Sequence, residues 1–253
     1  WSSYVTGLQI PLAEMESWRD ETLAMIRGLK PSNVLEVGVG SGLLMYSLLD
    51  DVASYTGLDI SQTVIARHKS QFKDREDDVH FYHLKADQLD QLSDDALFDT
   101  IIVNSVCQYF PGIQYFENVL DKIMDKLTEK GSVFIGDIRN LDLHKKIIKE
   151  KLDYEGRTYS EQDIDTIAFK ENELLISPAY FKQMSKRYGN LDFHILERDW
   201  SFENELSKYR YDLIISANGK KGRKNDQQNG IGDIQSVDKL YNTPFLNQLG
   251  KVD

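Results

Sequence analysis

The sequence predicts an α/β fold built on a doubly wound, largely parallel sheet with helices on both faces. Short apolar runs that suit buried strands alternate with helical patterns over most of residues 33–138. A glycine-rich turn in the stretch VLEVGVGSGLL, at residues 34–44, joins the first of these runs to a helical pattern. Strand, glycine turn and helix in this order are typical of a nucleotide-binding βα unit.

The individual elements follow from the same patterns. Residues 11–30 carry apolar side chains at helical spacing and are expected to form the first helix. Further helices are expected at 43–49 and at 113–127, the second of them before a break at Gly131. Another helix is expected to follow Ser61, which can cap it. The predicted strands are 33–37, 55–60, 80–85, 99–105, 132–138, 192–199 and 211–217.

The alternation of strands and helices stops after the fifth strand. Residues 139–190 carry helical patterns but no clear strand, which predicts a helical lid inserted between strands five and six. Residues 219–253 contain KKGRKNDQQN at 220–229, which is typical of a linker, and continue as a tail that can dock on the body. The other parts are an N-terminal helical segment, 1–32, that covers the ligand site, and a core of 33–138 and 191–218.

Composition and charge exclude several classes of function. A net charge of −11 in 253 residues gives no support for nucleic-acid binding. The sequence has no run of about 18 apolar residues, which predicts no membrane span and no membrane partner. The one cysteine, Cys107, excludes an internal disulfide framework and suits a reducing compartment, so we expect a cytoplasmic location. A chain that begins at Trp1 rather than Met is expected to be a piece of a longer one.

The glycines are spaced as G-x-G-x-G, with Gly38, Gly40 and Gly42 directly after the first strand. Hydride transfer with a nicotinamide cofactor is disfavoured, because the fingerprint for that cofactor is G-x-G-x-x-G. Glu36 lies two residues before the first glycine, where a carboxylate would repel a pyrophosphate but suits a cationic ligand. The loop therefore predicts a positively charged ligand close to the backbone.

Two more acids follow the next two strands. Asp59 ends strand two and can accept hydrogen bonds from both hydroxyls of a ribose. Asp87 follows strand three and can meet an adenine amino group, with Gln88 as the alternative for that contact. Together with Glu36, these residues predict a ligand that has a ribose, an adenine and positive charge. An acid that only caps a helix is the other interpretation of such a position.

Longer motifs narrow the prediction to a family. EVGVGSGLL at 36–44, followed by GLDIS at 57–61, resembles the cofactor site of class I S-adenosylmethionine-dependent methyltransferases. FDTIIVNSVCQYFP, VFIGDIRNL, ENELLISPAYF and NELSKYRYDLII are similar to motifs of the methyltransferase domains in nonribosomal peptide synthetases and polyketide synthases. With the N-terminal stretch WSSYVTGLQIPLAEMESWRDETL, these blocks extend from Trp1 to about Ala217.

The resemblance implies a Rossmann-like sheet of seven strands with the last one antiparallel. It implies S-adenosyl-L-methionine as cofactor, S-adenosyl-L-homocysteine as product, and no metal. The implied partners are a phosphopantetheinylated acyl or peptidyl carrier protein and the neighbouring domains of a host synthase. It also adds Ile60, beside Asp59, and Asn104, near the methionine part of the cofactor, with Tyr4 and Met15 packing on the cofactor from the N-terminal segment. A turn residue is the alternative for Asn104, and Met15 also fits the apolar face of its helix.

The methyl acceptor sets the requirements for catalysis. A hydroxyl needs a general base to become nucleophilic, whereas an amine needs only to be unprotonated. His144 lies just after GDIR, four residues before Ile148, where many relatives carry their histidine, and residues four apart share one helix face. Glu173 is expected to orient or replace this histidine, with Glu171 as second choice. Arg139 is expected to pair with one of these acids or to position the substrate carbonyl. A solvated histidine is the alternative for His144.

These residues narrowly favour O-methylation of a hydroxyl on a carrier-tethered polyketide intermediate. N-methylation of an aminoacyl or peptidyl thioester in a nonribosomal peptide synthetase is the main alternative, because the usual histidine position holds Ile148. C-methylation and a catalytically silent structural domain come after these two. Cys107 is expected to be a small buried residue. Four lysines on the predicted lid are candidates for docking an acidic carrier protein, namely Lys145, Lys146, Lys149 and Lys151.

Overall fold

The computed structural model describes residues 1–186, 188–189, 191–198 and 202–217. The linker and tail expected at 219–253 lie outside the described residues. Within those ranges the strands are β1 (Asn33–Val37), β2 (Ser54–Asp59), β3 (Val79–His83), β4 (Phe98–Asn104), β5 (Leu127–Arg139), β6 (Leu191–Leu196) and β7 (Arg210–Ala217). They form one sheet in the order β3-β2-β1-β4-β5-β7-β6.

Pairing is parallel from β3 through β5, and β7 runs antiparallel to both of its neighbours. The seven-stranded, mostly parallel sheet predicted from the sequence is therefore confirmed. β1 and β4 are buried at nearly every position, as expected for strands covered on both faces. The strand order reverses between β1 and β4, which opens a crevice beyond their carboxyl ends, where open α/β sheets bind ligands.

Helices cover both faces of the sheet. They are α1 (Leu12–Gly28), α2 (Met45–Leu48), α3 (Gln62–Gln71), α4 (Ile113–Lys126), α5 (His144–Tyr154), α6 (Glu161–Phe169), α7 (Pro178–Met184) and α8 (Glu205–Lys208). On one face, α1 and α2 pack on the strands in a cluster that contains Ile26, Met45 and Ile102. On the other face, α4 contributes Phe116 to the cluster that contains Leu35. Within the described ranges, no helix has the length and apolar character needed to cross a membrane.

The break expected at Gly131 is not where α4 ends. The helix stops at Lys126, and Leu127 already has extended backbone and pairs with Phe98 of β4. Gly131 therefore lies inside β5, where its neighbours leave no room for a side chain: a Cβ there would meet the Leu127 side chain at 2.6 Å. Cross-strand pairing, which a linear pattern does not display, lengthens β5 by five residues relative to its expected start at 132.

The insertion between β5 and β6 contains α5, α6 and α7, as its helical patterns predicted. Its first two helices pack through a small apolar cluster of Ile148, Leu152 and Ile164. A parallel bridge between Asn140 and Ile176 brings both ends of the α5–α6 segment to the carboxyl end of β5. The insertion is therefore located where it can cover the ligand crevice, and its action as a lid stays a prediction.

A buried ionic network joins β5, β7 and the segment after β6. The side chains of Asp137, Arg198 and Asp212 are at most 1% exposed. Arg198 donates to Asp137 Oδ1 at 3.0 Å and, through Nε, to Asp212 Oδ2 at 2.9 Å. Asp137 also accepts a hydrogen bond from Ser105 Oγ at 2.9 Å and pairs with Arg210. Two acids and two arginines thus balance their charges inside the protein, which buried ions require.

We expect Arg198→Met to lower the free energy of unfolding by about 3–5 kcal/mol, because it leaves Asp212 buried without its cation. Arg27→Met is the matched control, since Arg27 forms an exposed pair with Asp51 and exposed pairs contribute little. Urea unfolding of both variants measures the difference. Equal stability of the two variants would contradict a structural role for the network.

Candidate active site

The glycine loop after β1 leaves open space at its middle glycine. Gly38, Gly40 and Gly42 have φ of +80°, +50° and +85°, in the left-handed region that favours glycine. The Gly38 amide donates to the Leu58 carbonyl at 2.7 Å, which ties the loop to β2. A Cβ on Gly38 would lie 2.4 Å from a Val106 methyl, whereas a Cβ on Gly40 would meet no atom closer than 3.9 Å. The loop is therefore a cradle that a ligand can approach at Gly40.

Asp59 connects this loop to the next helix. One carboxylate oxygen accepts from the Gly40 amide at 2.9 Å, and the other accepts from the Ser61 amide at 2.8 Å. A carboxylate has about four acceptor positions, so about two remain for the hydroxyls of a ligand. Ile60 follows directly and is 57% exposed, which leaves an apolar surface beside the carboxylate. Ser61 caps α3 as predicted, because its Oγ accepts from the Val64 amide.

Glu36 lies deeper in the protein than a ligand-binding acid would need to. Its side chain is 4% exposed, and Tyr55 Oη donates to its Oε2 at 2.6 Å. Burial raises the pKa of Glu36 to about 8, with the hydrogen bond from Tyr55 opposing the rise and nearby Asp59 adding to it. The carboxyl is therefore mainly protonated at pH 7, and its hydrogen bond with Tyr55 connects β1 to β2 below the loop. Its contact with a cationic ligand stays a prediction.

The acids and amides after β3 and β4 differ in what they already bind. Asp87 Oδ1 accepts from Tyr115 Oη at 3.0 Å, and Gln88 Oε1 accepts from the Lys85 amide at 2.9 Å. The Oδ1 atom of Asn104, in contrast, is buried and has no hydrogen-bond partner among the described residues. A buried acceptor without a donor is costly, so this atom suits a ligand that brings one.

A cavity of about 280 Å³ brings the four predicted catalytic residues together. Arg139, His144, Glu171 and Glu173 all line it, and Tyr4 reaches it from the N-terminal segment. Residue 139 ends β5, residue 144 begins α5, and the two glutamates lie between α6 and α7. The parallel bridge at the base of the insertion therefore assembles a site from residues separated by more than 30 positions.

Arg139 holds both glutamates rather than one of them. Its Nη2 donates to Glu171 at 2.9 Å and its Nη1 donates to Glu173 at 2.7 Å. Burial raises the pKa of Glu171, but the Arg139 guanidinium outweighs this and brings that pKa below its ordinary value. Glu171 is therefore ionised at neutral pH. The pairing predicted for Arg139 is confirmed, and it involves both terminal nitrogens of the guanidinium.

His144 is buried and uncharged at neutral pH. It is 5% exposed, which excludes the alternative of a solvated histidine. Burial and the Arg139 guanidinium lower the pKa of His144 below its ordinary value, and Glu171 only partly opposes them. Its Nε2 lies 3.8 Å from Glu171 Oε2, too far for a hydrogen bond. Neither ring nitrogen has a hydrogen-bond partner in the described part of the chain. A neutral imidazole in a cavity can accept a proton from a ligand.

Comparison with known proteins identifies the family. A model described as a methyltransferase domain matches residues 35–133, which include the glycine loop. A nonribosomal peptide synthetase of Alternaria alternata is 32% identical over an alignment of 266 positions, gaps included, that covers 98% of this chain. The beauvericin nonribosomal cyclodepsipeptide synthetase of Gibberella fujikuroi is 32% identical over 228 residues, which cover 85% of this chain. The chain belongs to the S-adenosylmethionine-dependent methyltransferases.

The relatives are far longer than this methyltransferase. The chain spans 5% of the Alternaria protein and 7% of the Gibberella protein. It therefore corresponds to a domain-sized part of such synthetases. The resemblance to methyltransferase domains of nonribosomal peptide synthetases, drawn from the motifs, is confirmed.

Solved structures share the fold. The N-methyltransferase NodS from Bradyrhizobium japonicum matches with a TM-score of 0.54 and 15% identity, covering 83% of this chain and 100% of that chain. An S-adenosylmethionine-dependent methyltransferase from Clostridium acetobutylicum matches with a TM-score of 0.57 and 11% identity, covering 82% of this chain and 95% of that chain. At these identities the likeness establishes the Rossmann-like fold of class I methyltransferases and nothing finer.

The N-terminal segment of the methyltransferase closes one side of the cavity. Glu205, at the start of α8, accepts from Ser3 Oγ and from the Tyr4 amide, both at 2.7 Å. Met15 packs instead with Trp18 and Leu206 in an apolar cluster. Tyr4 thus lies at the cavity of the catalytic candidates, while Met15 is partly buried against that cluster, and a contact of either with the cofactor stays a prediction.

The four lysines expected to dock a carrier protein have partners within the methyltransferase. Lys145 pairs with Asp165 at 2.5 Å, and Lys149 pairs with Glu161 at 2.7 Å. Lys146 and Lys151 lie over the rings of Tyr209 and Tyr4, at 6.0 and 4.5 Å from the ring centres. Their charges are therefore already partly used on the insertion and beside the cavity.

Sequence reasoning missed two residues that shape the site. His68, which the motifs did not single out, is fully buried, donates from Nε2 to the Gly40 carbonyl at 2.9 Å and stacks on Phe81. Its spacing of three from buried Ile65 on α3 was the available signal. Arg210, which lines the cavity, carried no signal in its local pattern. Cys107 is buried as expected, and burial raises the pKa of its thiol to about 12, which makes it unreactive.

We expect the free energy of unfolding of the methyltransferase to decrease as pH rises, because Glu36 loses its proton. The folded-state pKa of about 8 exceeds the ordinary value of 4.5, so the proton stabilises the fold fully below pH 4.5. That contribution is lost as pH rises through about 8, at up to about 1.4 kcal/mol per pH unit.

Glu36→Gln keeps the shape and removes the titration. The free energy of unfolding of the wild type, minus that of Glu36→Gln, is expected to decrease between pH 5 and pH 8. Denaturant unfolding at several pH values measures it. A difference that does not change with pH would show that Glu36 titrates normally.

Proposed function

We propose that the methyltransferase N-methylates an aminoacyl or peptidyl thioester held by the phosphopantetheine arm of a carrier protein in a host synthetase. The relatives that match most of the chain are named peptide synthetases, and peptides are assembled from groups that carry amines. This supports the nitrogen acceptor over the polyketide hydroxyl that the sequence narrowly favoured. Transfer to oxygen or carbon, or a silent domain, becomes an outcome of the test.

The charge pattern of the cavity carries the proposal. Three carboxylates, from Glu171, Glu173 and Glu205, and two guanidinium groups, from Arg139 and Arg210, line the cavity, so its lining has a net negative charge that attracts an ammonium. An ammonium has no lone pair and must lose a proton before it can attack a methyl group. His144, which is uncharged beside these acids, can take that proton, and Glu171 then stabilises the imidazolium from 3.8 Å.

The residues around the glycine loop fit the cofactor of the family. Asp59 would accept the two ribose hydroxyls at its remaining acceptor positions, and Ile60 would cover the adenine. Asp87 or Gln88 would meet the adenine amino group. The unpartnered Oδ1 of Asn104 would accept from the ammonium of the methionine part. When bound, S-adenosylmethionine supplies a methyl group on a cationic sulfur. The insertion, as a lid over the crevice, would exclude water from the site.

Gly40→Ala tests the cofactor site against a matched glycine. Gly40 and Gly156 have φ of +50° and +65°, so alanine costs about 1–2 kcal/mol of stability at either position. Only the methyl group at Gly40 would occupy the open space of the cradle. We expect Gly40→Ala to weaken binding of S-adenosylhomocysteine more than about tenfold, and Gly156→Ala to leave it unchanged. Titration calorimetry measures both, and equal affinities would remove the loop from the cofactor site.

The acceptor is tested by the intact mass of a carrier protein loaded with an aminoacyl group or, separately, with a β-hydroxyacyl group. Each is incubated with the methyltransferase and S-adenosylmethionine. We expect one added methyl group on the aminoacyl load alone. A gain on the hydroxyacyl load alone would restore the oxygen acceptor. No gain on either, with cofactor binding intact, would leave a carbon acceptor or a silent domain.

His144→Gln is expected to slow methylation of the aminoacyl load by about 100-fold, because it removes the proton acceptor. The lowered pKa of His144 places the acid limb of the wild-type rate profile below pH 6.5, and the variant should lose that limb. His194→Gln is the matched control, since His194 is exposed on β6. A variant that keeps both the rate and the limb would exclude His144 as the base.

A further inference from the structure

The geometry points to Arg210 as the residue that holds the carbonyl oxygen of the acceptor thioester. The inference rests on the proposed function and deepens it, because it specifies which part of the substrate the site recognises. Arg139, expected from the sequence to position that carbonyl, donates from both terminal nitrogens to the carboxylates of Glu171 and Glu173. Arg210 makes fewer side-chain hydrogen bonds in the described structure and so has more N–H donors left for a carbonyl than Arg139 has.

Arg210 lies next to Arg139 across the sheet. The two residues are directly paired in the antiparallel register of β5 and β7, and both line the cavity. Arg210 makes one side-chain hydrogen bond in the described structure, from Nη1 to Asp137. A guanidinium has five N–H donors, so the others remain available toward the cavity. Its side chain is 16% exposed, which limits competition from water.

The partner of Arg210 cannot easily move. Asp137 is fully buried and is also held by Arg198 and by Ser105 Oγ. Its backbone amide donates to Asp212 at 2.8 Å. Because these contacts hold the carboxylate in place, its hydrogen bond with Nη1 restricts the movement of the Arg210 guanidinium. A preorganised arginine binds an oxygen acceptor better than a mobile one, since less side-chain freedom is lost.

Opposite charges within one cavity then define the substrate class. Glu171 and His144 meet the amine, and Arg210 meets the carbonyl oxygen, so the site recognises the α-aminoacyl thioester unit common to amino acids. Ile147 and Leu175, which also line the cavity, leave an apolar surface for a side chain.

The test compares two small ligands: an α-aminoacyl thioester of N-acetylcysteamine, and its thioether analogue, in which a methylene replaces the carbonyl. Their affinities for the methyltransferase are measured by calorimetry with S-adenosylhomocysteine present, so that no turnover occurs. We expect the wild type to prefer the thioester by about 10- to 100-fold, the range for a hydrogen bond to a charged group. Arg210→Gln should abolish this preference by weakening thioester binding alone.

The comparison across variants removes the difference in amine basicity between the two ligands, because that difference is the same for every variant. Arg157→Gln, an exposed arginine on the insertion, is the matched control and should keep the full preference. Arg210→Lys retains a cation for Asp137 and should give an intermediate preference. If Arg210→Gln loses cofactor binding and is therefore misfolded, the preference of Arg210→Lys for the thioester decides the test.

Two results would overturn the inference. Equal weakening of thioester and thioether binding in Arg210→Gln, with cofactor affinity intact, would make Arg210 a structural residue. An unchanged preference would exclude it from carbonyl binding. Failure of the proposed function looks different: the wild type would bind S-adenosylhomocysteine, yet would neither bind nor methylate the aminoacyl ligand. That result would remove the inference together with the function.

Discussion

The buried carboxylate of Asp137 connects the end of β4, through Ser105, with the cavity of the catalytic candidates, through Arg210. Burial raises the pKa of Asp137, but Arg210 and Arg198 outweigh it and hold that pKa below its ordinary value, so the group stays ionised in the core. Its φ of +66° lies at the point where the register of β5 and β7 shifts. The cost of burying this charge is offset only because each oxygen meets an arginine in good geometry.

From this carboxylate, contacts extend in two directions. Ser105, which donates to Asp137, follows Asn104 at the end of β4 and lies on the side of the glycine loop. Arg210, which also binds Asp137, lines the cavity of the catalytic candidates. One network thus connects the end of β4, which adjoins the glycine loop through Val106, with the cavity that we propose binds the acceptor. Methyl transfer needs cofactor and acceptor to be aligned, because displacement requires the reacting atoms in line and in contact.

The cavity of the catalytic candidates is lined by segments that are distant along the chain. Glu205 holds Ser3 and the Tyr4 backbone, and Lys151 lies over the Tyr4 ring, so the N-terminal segment is fastened to α8 and to α5. Within this cavity, burial lowers the pKa of His144, and the Arg139 guanidinium lowers it further. The histidine is therefore uncharged at neutral pH and able to accept a proton.

Patterns within a few residues were enough to predict the α/β fold class, the glycine loop and the acids beside it. Gly38 and Asp59 are examples: a tight turn and a strand end are local constraints, and both were recognisable in the linear chain. Tertiary structure alone decided which charges meet. Arg198 and Asp212 contact Asp137 from 61 and 75 positions away along the chain. Arg210 lies beside Arg139 because the two residues are paired across β5 and β7. The burial that sets the charge states of Glu36 and His144 is completed only when distant segments pack together.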